Sequence, residues 1–296
     1  MTRTTSYRLL SYVFVTVVLV VLFPVRTAAW GNKGHQVIAR IAMERLSTDA
    51  RQSIAELLDS GETLESISTW ADQIRLQRAD TRSWHFVEIP LNDSRYVQMK
   101  ACGKGQTCII EAITKQLAIL KDPSNDPKAR AEALKFVVHF IGDLHQPFHV
   151  STNTNPPDDG ANQVRVTSLS GRATRLHDVW DNDLVEFGLG QAKSVGDYAT
   201  QLGRKYGSAA MNKMNQRSLI STQGSPTDWA LETHKLCWNA YYHTSGDFMV
   251  NNPKRSWKLD QEYYNKNLPV VEGQLVRAGL RLAKILNDTF AARAAR

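Results

Sequence analysis

Cysteine is scarce: three occur in 296 residues. That is too few for a disulfide-framework protein and too few for a thiolate metal cage. Cys102 and Cys108 stand six apart in CGKGQTC. In an oxidising compartment they are expected to close a small loop, leaving Cys237 buried and free. The chain also lacks low-complexity tracts and internal repeats, which sets aside disordered and solenoid classes. It has no run of like charge, so no basic tail or stripe is available to grip a polyanion. Long apolar runs are missing as well. The one candidate, residues 12–23, falls short of the roughly 20 residues that cross a bilayer.

That short run has another meaning. Arg3 and Arg8 precede it, and Thr27-Ala28-Ala29 follows with small residues, the anatomy of a cleavable secretory signal peptide over residues 1–29. The mature chain, residues 30–296, is expected to be secreted or periplasmic, monomeric and free of stable membrane association. The formal charge is +7, and cleavage takes Arg3, Arg8 and Arg26 with no acidic residue, leaving +4. A modest positive balance suits a polyanionic substrate without establishing one.

What is present is mostly helical periodicity. Val37, Ile38, Ile41, Ala42 and Leu46 recur at helical spacing, and residues 48–58, 63–76, 109–120, 129–144, 228–242 and 262–286 continue the pattern. Residues 163–167 and 173–176, separated by Ser170-Gly171, read as a short hairpin. The prediction is a single all-α domain with a minor β-hairpin.

The chemistry concentrates in HFIGDLHQPFH, residues 139–149, and in LHDVWD, residues 176–181. Residues four apart share one helix face, so His139/Asp143 and His177/Asp181 each aim an imidazole and a carboxylate at one point. Pro147 is expected to end or bend the first helix and send His149 in from another direction. Of the eight histidines, those at 35, 85, 139, 149 and 177 fall near aspartates or near one another in motifs. His145 lies off the ligand face, and His234 and His243 have no such partner. With no cysteine nearby, the expected metal site is built of nitrogen and oxygen.

Processing would expose Trp30 in WGNKGH, whose amine and carbonyl can chelate an ion close to His35. Asp72 and Arg75 lie in WADQIR, and His85, Phe86 and Glu88 in WHFVE. Taken in order, the terminal Trp30, WGxxGH, WAD-x-x-R, WHF, HFIGDLHQPFH and LHDVWD resemble the S1/P1 nuclease family of secreted zinc enzymes over essentially the whole mature chain. The resemblance implies a phospholipase C/P1 nuclease-like helical fold and three zinc ions. Asp72, His85, His139 and Asp143 would hold the first ion, and His149, His177 and Asp181 the second. The amine and carbonyl of Trp30, with His35 and Asp143, would hold the third.

It further implies hydrolysis of single-stranded DNA and RNA to 5′-phosphorylated products, often with 3′-nucleotidase activity. Asp72, Arg75 and Asp143 would carry the catalysis; Phe86, Glu88 and Asn162 would contact substrate. Two departures stand out. The family more often has Asp at the position of Glu88, and its GGN element is here Gly160-Ala161-Asn162. A zinc-dependent phospholipase C is the nearest alternative, sharing the terminal Trp and the H-x3-D-x5-H helix. His35 follows Trp30 more closely than in those enzymes, and the last pair ends in Asp181 where they use Glu. A non-catalytic secreted zinc-binding protein is the alternative of another class.

Overall fold

The buried face of the first helix, α1 (Asn32–Met43), is the set that periodicity picks out: Val37, Ile38, Ile41 and Ala42. The computed structural model describes residues 30–291 apart from Lys104, Gln191, 207–221 and Pro253. The expected signal peptide, residues 1–29, lies outside the described residues, as do residues 292–296. Helix α2 (Thr48–Leu57) starts where Ser47 Oγ accepts from the N–H of Ala50 at 3.2 Å, a side-chain cap of the ordinary kind.

The stretch 63–76, expected as one helix, is two: α3 (Leu64–Ile67) and α4 (Trp70–Ile74). A capping box between Thr63 and Ser66 opens α3, and the chain breaks at Ser68-Thr69. The break has a use, because it frees the Ser68 carbonyl to meet the His139 ring. A 3-10 segment (Ala79–His85) follows, then α5 (Gln98–Ala101), α6 (Ile109–Lys121) and α7 (Pro127–Asp143). Helix α7 begins ahead of the expected residue 129 because Asp126 accepts from the N–H groups of Lys128 and Ala129, at 2.8 and 3.2 Å, with Pro127 in the first turn. Pro there loses no helical hydrogen bond. A second 3-10 turn (Pro147–His149) opens at Pro147 and carries His149 out of the α7 axis.

Helix α8 (Leu176–Asp178) runs into a π-helical segment (Val179–Asp183) and then α9 (Leu184–Leu189). Among the described residues α10 (Val195–Lys205), α11 (Pro226–Ala240) and α12 (Gln261–Phe290) follow. Helix α1 packs mainly on α12 and α10, and α6 on α7. Helix α7 also contacts α1, α3 and α4.

Strand content is small. β1 (Ile89–Pro90) pairs in parallel with β2 (Ser151–Thr152). β3 (Arg165–Thr167) and β4 (Ala173–Arg175) form the expected hairpin, with Val166 opposite Thr174. β5 (Trp257–Lys258) adds a parallel third strand, which no local pattern announces. The protein is a mainly helical single domain. Cys102 and Cys108 are disulfide-bonded and Cys237 is buried and free. Among the described residues, no helix is long and apolar enough to cross a membrane.

Candidate metal centre

The last turn of α7 presents His139 and Asp143 in full burial. Around them the fold assembles His35 from α1, Asp72 from α4 and His85 from the first 3-10 segment. Asp143 faces two ways. Its Oδ1 lies 3.2 Å from His35 Nε2, while its Oδ2 lies 3.0 Å from His85 Nδ1 and 3.3 Å from His139 Nε2. Asp72 closes the far side, with Oδ1 3.7 Å from His85 Nδ1 and Oδ2 3.7 Å from His139 Nε2. Gly142 makes the approach of α1 possible, since a Cβ there would sit 2.7 Å from His35 Nδ1.

A second cluster joins His149 from the 3-10 turn to His177 and Asp181. The two Nε2 atoms are 3.0 Å apart, and Asp181 Oδ2 is 3.3 Å from His177 Nε2. Here α8 passes into the π-helical segment, a widening of the backbone that often marks functional sites.

Backbone carbonyls set the imidazoles. His139 Nδ1 lies 2.7 Å from the Ser68 carbonyl, His149 Nδ1 2.7 Å from the His85 carbonyl, and His177 Nδ1 2.5 Å from the Gly160 carbonyl. A carbonyl only accepts, so each Nδ1 carries the proton and each Nε2 presents a lone pair. His149 and His177 therefore point lone pair at lone pair. No hydrogen can bridge them while both rings are neutral; a cation can. The buried oxygens of Asp72, Asp143 Oδ1 and Asp181 Oδ2 have no hydrogen-bond partner either, nor does His35 Nε2 despite its closeness to Asp143. Unpartnered buried donors and acceptors cost about 1–3 kcal/mol each. Convergent, orphaned nitrogen and oxygen atoms fit divalent zinc-type ions, and the absence of sulfur fits that choice.

The titration directions agree for three of the five imidazoles. Burial pushes the imidazoles of His35, His85 and His149 well below their ordinary range, and neighbouring histidines push the same way. Neutral imidazoles are what ligation requires. Burial also pushes the carboxyls of Asp72, Asp143 and Asp181 up, against the downward pull of the neighbouring histidines. His139 and His177 are held up by their aspartate partners, which outweigh the downward effect of burial.

The other expected site residues lie at different depths. Trp30 is buried, and the N–H of Gly31 donates to the Asp181 carbonyl at 2.8 Å, docking the start of the described chain on the second cluster's segment. Arg75 Nη1 lies 3.5 Å from Asp72 Oδ1. Phe86 follows His85 directly and is half-buried. The Glu88 carboxyl is pushed up by burial and then by Asp159 and Asp158. Asn162 Nδ2 sits 3.3 Å from His177 Nδ1.

The loop behind Asn162 is unusual: Asp159, Gly160 and Ala161 all have positive φ, at 54°, 56° and 65°. The departure from the glycine pattern thus leaves a buried alanine in left-handed backbone. At Gly160 an added Cβ would meet the Phe148 carbonyl oxygen at 2.4 Å. Gly160→Ala is expected to cost about 2–3 kcal/mol and to pull the Gly160 carbonyl off His177. Thermal unfolding checks the first effect and zinc affinity the second.

The remaining histidines serve structure. His145 is held between the Ile141 carbonyl at 2.7 Å and Arg281 at 2.8 Å. His234 bridges Ser151 Oγ and the Asp93 carbonyl, and His243 contacts Ser245 Oγ and the Lys258 carbonyl. The carbonyls of Ser68, His85 and Gly160, and the side chain of Gln146, escape sequence reasoning. Gln146 alone carried a signal, by sitting inside the ligand motif.

Adjoining buried clusters of imidazole and carboxylate on a helical scaffold mark a metal-dependent hydrolase. The profile described as S1/P1 Nuclease matches residues 30–291, and the chain belongs to the S1/P1 nuclease family. Nuclease S1 of Aspergillus oryzae is 29% identical over 281 residues, covering 88% of this chain and 92% of its own. Endonuclease 2 of Arabidopsis thaliana is 30% identical over 280 residues, covering 88% and 90%. Nuclease P1 of Penicillium citrinum is 28% identical over 274 residues, covering 88% and 97%. The chain is accordingly a metal-dependent phosphodiester hydrolase, an endonuclease of a zinc-dependent family, and membership favours this over the phospholipase alternative.

Proposed function

We propose that the mature protein is an exported endonuclease that uses three zinc ions to cleave the P–O3′ bond of single-stranded DNA and RNA, releasing 5′-phosphorylated ends, with accompanying 3′-nucleotidase activity. The observation that carries this reading is the two-sided placement of Asp143. One oxygen faces His35 and the other faces His85 and His139, the arrangement needed to join two ions. Asp72, His85, His139 and Asp143 hold the first ion, and His149, His177 and Asp181 the second. The third takes His35, Asp143 and the amine and carbonyl of Trp30, which becomes a terminus only when residues 1–29 are removed. When bound, the ions supply an activated water near neutral pH and charge for the phosphoryl oxygens.

The protein's own groups position the substrate. Arg75, braced by Asp72, directs its guanidinium toward the charge that builds on phosphorus. Phe86 offers a ring face for a base, and Glu88 a hydrogen-bonding edge beside it. Asn162, next to His177, reaches the phosphate side. Names of nucleases among the relatives, S1 and P1 included, support the substrate class. The expected signal peptide supports export.

The deciding assay sets single-stranded DNA beside phosphatidylcholine, with the zinc-loaded mature enzyme. Cleavage of DNA to 5′-phosphate ends is expected, and release of phosphocholine instead would overturn the reading. Full zinc content with no hydrolysis of any phosphodiester would favour the zinc-binding alternative. Chelator dialysis is expected to abolish hydrolysis and to lower stability by about 4 kcal/mol if free zinc stands near 1,000 times its dissociation constant. That is a fall of about 10 °C in Tm for a chain of this size. Zinc should restore both.

A further inference from the structure

Gln146 is completely buried, and both ends of its amide are committed. The backbone N–H of Phe148 lies 2.5 Å from its Oε1. A backbone N–H can only donate, so the carbonyl end must face Phe148 and the NH2 end must face the other way. There Nε2 donates to Asp181 Oδ1 at 2.6 Å. Asp181 therefore has one oxygen occupied and the other, Oδ2, unpartnered and turned toward His177 Nε2 at 3.3 Å.

We infer that Gln146 is a positioning residue for the second ion, holding Asp181 as a ligand through Oδ2 alone. The inference rests on the second-ion reading above. A neutral amide suits the task chemically. It fixes the carboxylate without neutralising it, whereas Arg or Lys at this position would compete with the ion for the same charge. Without the amide, Asp181 can rotate, or turn both oxygens on the ion and take a place that substrate needs. Hydrogen-bond partners of this kind typically set metal affinity by about 10- to 100-fold.

The turn that carries Gln146 is braced from behind. Gln274 of α12 donates to the His145 carbonyl at 2.8 Å, and Arg281 contacts His145 Nε2. The brace touches no ligand of the second cluster, so it provides a control for a merely structural role.

The test is zinc competition against a chromophoric chelator, with total metal counted, on the mature wild type and four variants. His177→Ala marks the second ion. Gln146→Met is isosteric and lacks both contacts; Gln146→Asn keeps an amide too short to span them and serves if the first variant does not fold. Arg281→Met loosens the brace and gives up the Arg281 ion pair with Glu232 and its place over the Trp229 ring, none of which is in the second cluster. The Gln146 variants are expected to weaken by about 10- to 100-fold the same ion that His177→Ala removes, and to keep the others. Arg281→Met is expected to lower Tm with less than a threefold change in that affinity.

Wild-type affinity for that ion in both Gln146 variants would overturn the inference. So would loss of all ions together, or an equal weakening in Arg281→Met. If His177→Ala removes no ion at all, the second-ion reading itself fails, an outcome separate from these.

Discussion

Asp143→Ala is expected to lower the rate of single-stranded DNA hydrolysis by about 10⁴-fold, roughly 5.5 kcal/mol of transition-state stabilisation, while Asp181→Ala loses only about 10²-fold. The difference lies in geometry. Asp143 turns Oδ1 to His35 and Oδ2 to His85 and His139, so under the proposed three-ion reading its loss would take a donor from two ions at once. Closely paired ions share the work of activating water and bracketing an in-line displacement, and separating them removes that cooperation. Asp181 presents one free oxygen to one cluster. Rates measured at saturating substrate, with circular dichroism to verify folding, give the comparison. Equal residual rates in the two variants would show that Asp143 does not bridge.

A mature chain carrying one extra residue before Trp30 is expected to lose the third ion and at least about 100-fold in turnover, as befits loss of an ion worth several kcal/mol. The extra residue converts the terminal amine into an amide, whose nitrogen has no lone pair to offer a metal. Nor can the chain shift to compensate. Trp30 is fully buried, and the N–H of Gly31 is tied to the Asp181 carbonyl at 2.8 Å. His35, Asp143 and the Trp30 carbonyl would remain, without the amine that completes the chelate ring and supplies the fourth protein donor. Elemental analysis with N-terminal sequencing checks the count, and unchanged metal content with unchanged turnover would dismiss the role of Trp30. Processing would then be an activation step: removal of residues 1–29 creates a ligand as well as releasing the chain.

Much of this site was legible before the structure, for a definite reason. Helical spacing of four residues is a local rule, so His139/Asp143 and His177/Asp181 declare themselves as pairs, and Pro147 declares a change of direction. The packing of His35, Asp72 and His85 around Asp143 is not local. Only the ordered set of motifs and its family resemblance pointed there, since α1, α4 and the 3-10 segment meet α7 through tertiary contacts.

Least legible were the groups that act through the backbone. The Ser68 carbonyl is available because the stretch 63–76 breaks in two, where apolar periodicity suggested one helix. The Gly160 carbonyl is aimed by consecutive left-handed residues, one of them an alanine that propensity disfavours there. The third strand of the small sheet, at 257–258, pairs with residues some 90 positions earlier, and short strands leave little pattern to read. Gln146 shows the same limit in a side chain. It sits in the middle of the most conspicuous motif, but its role depends on Asp181, which the fold brings to it.

Anomalous diffraction from zinc-loaded crystals of the mature chain, collected at the zinc edge, tests the three-ion centre most directly. Three peaks are expected, two of them flanking the Asp143 carboxylate about 3.5–4 Å apart and the third among His149, His177 and Asp181. A single peak at Asp143, or none beside Trp30 and His35, would contradict the account.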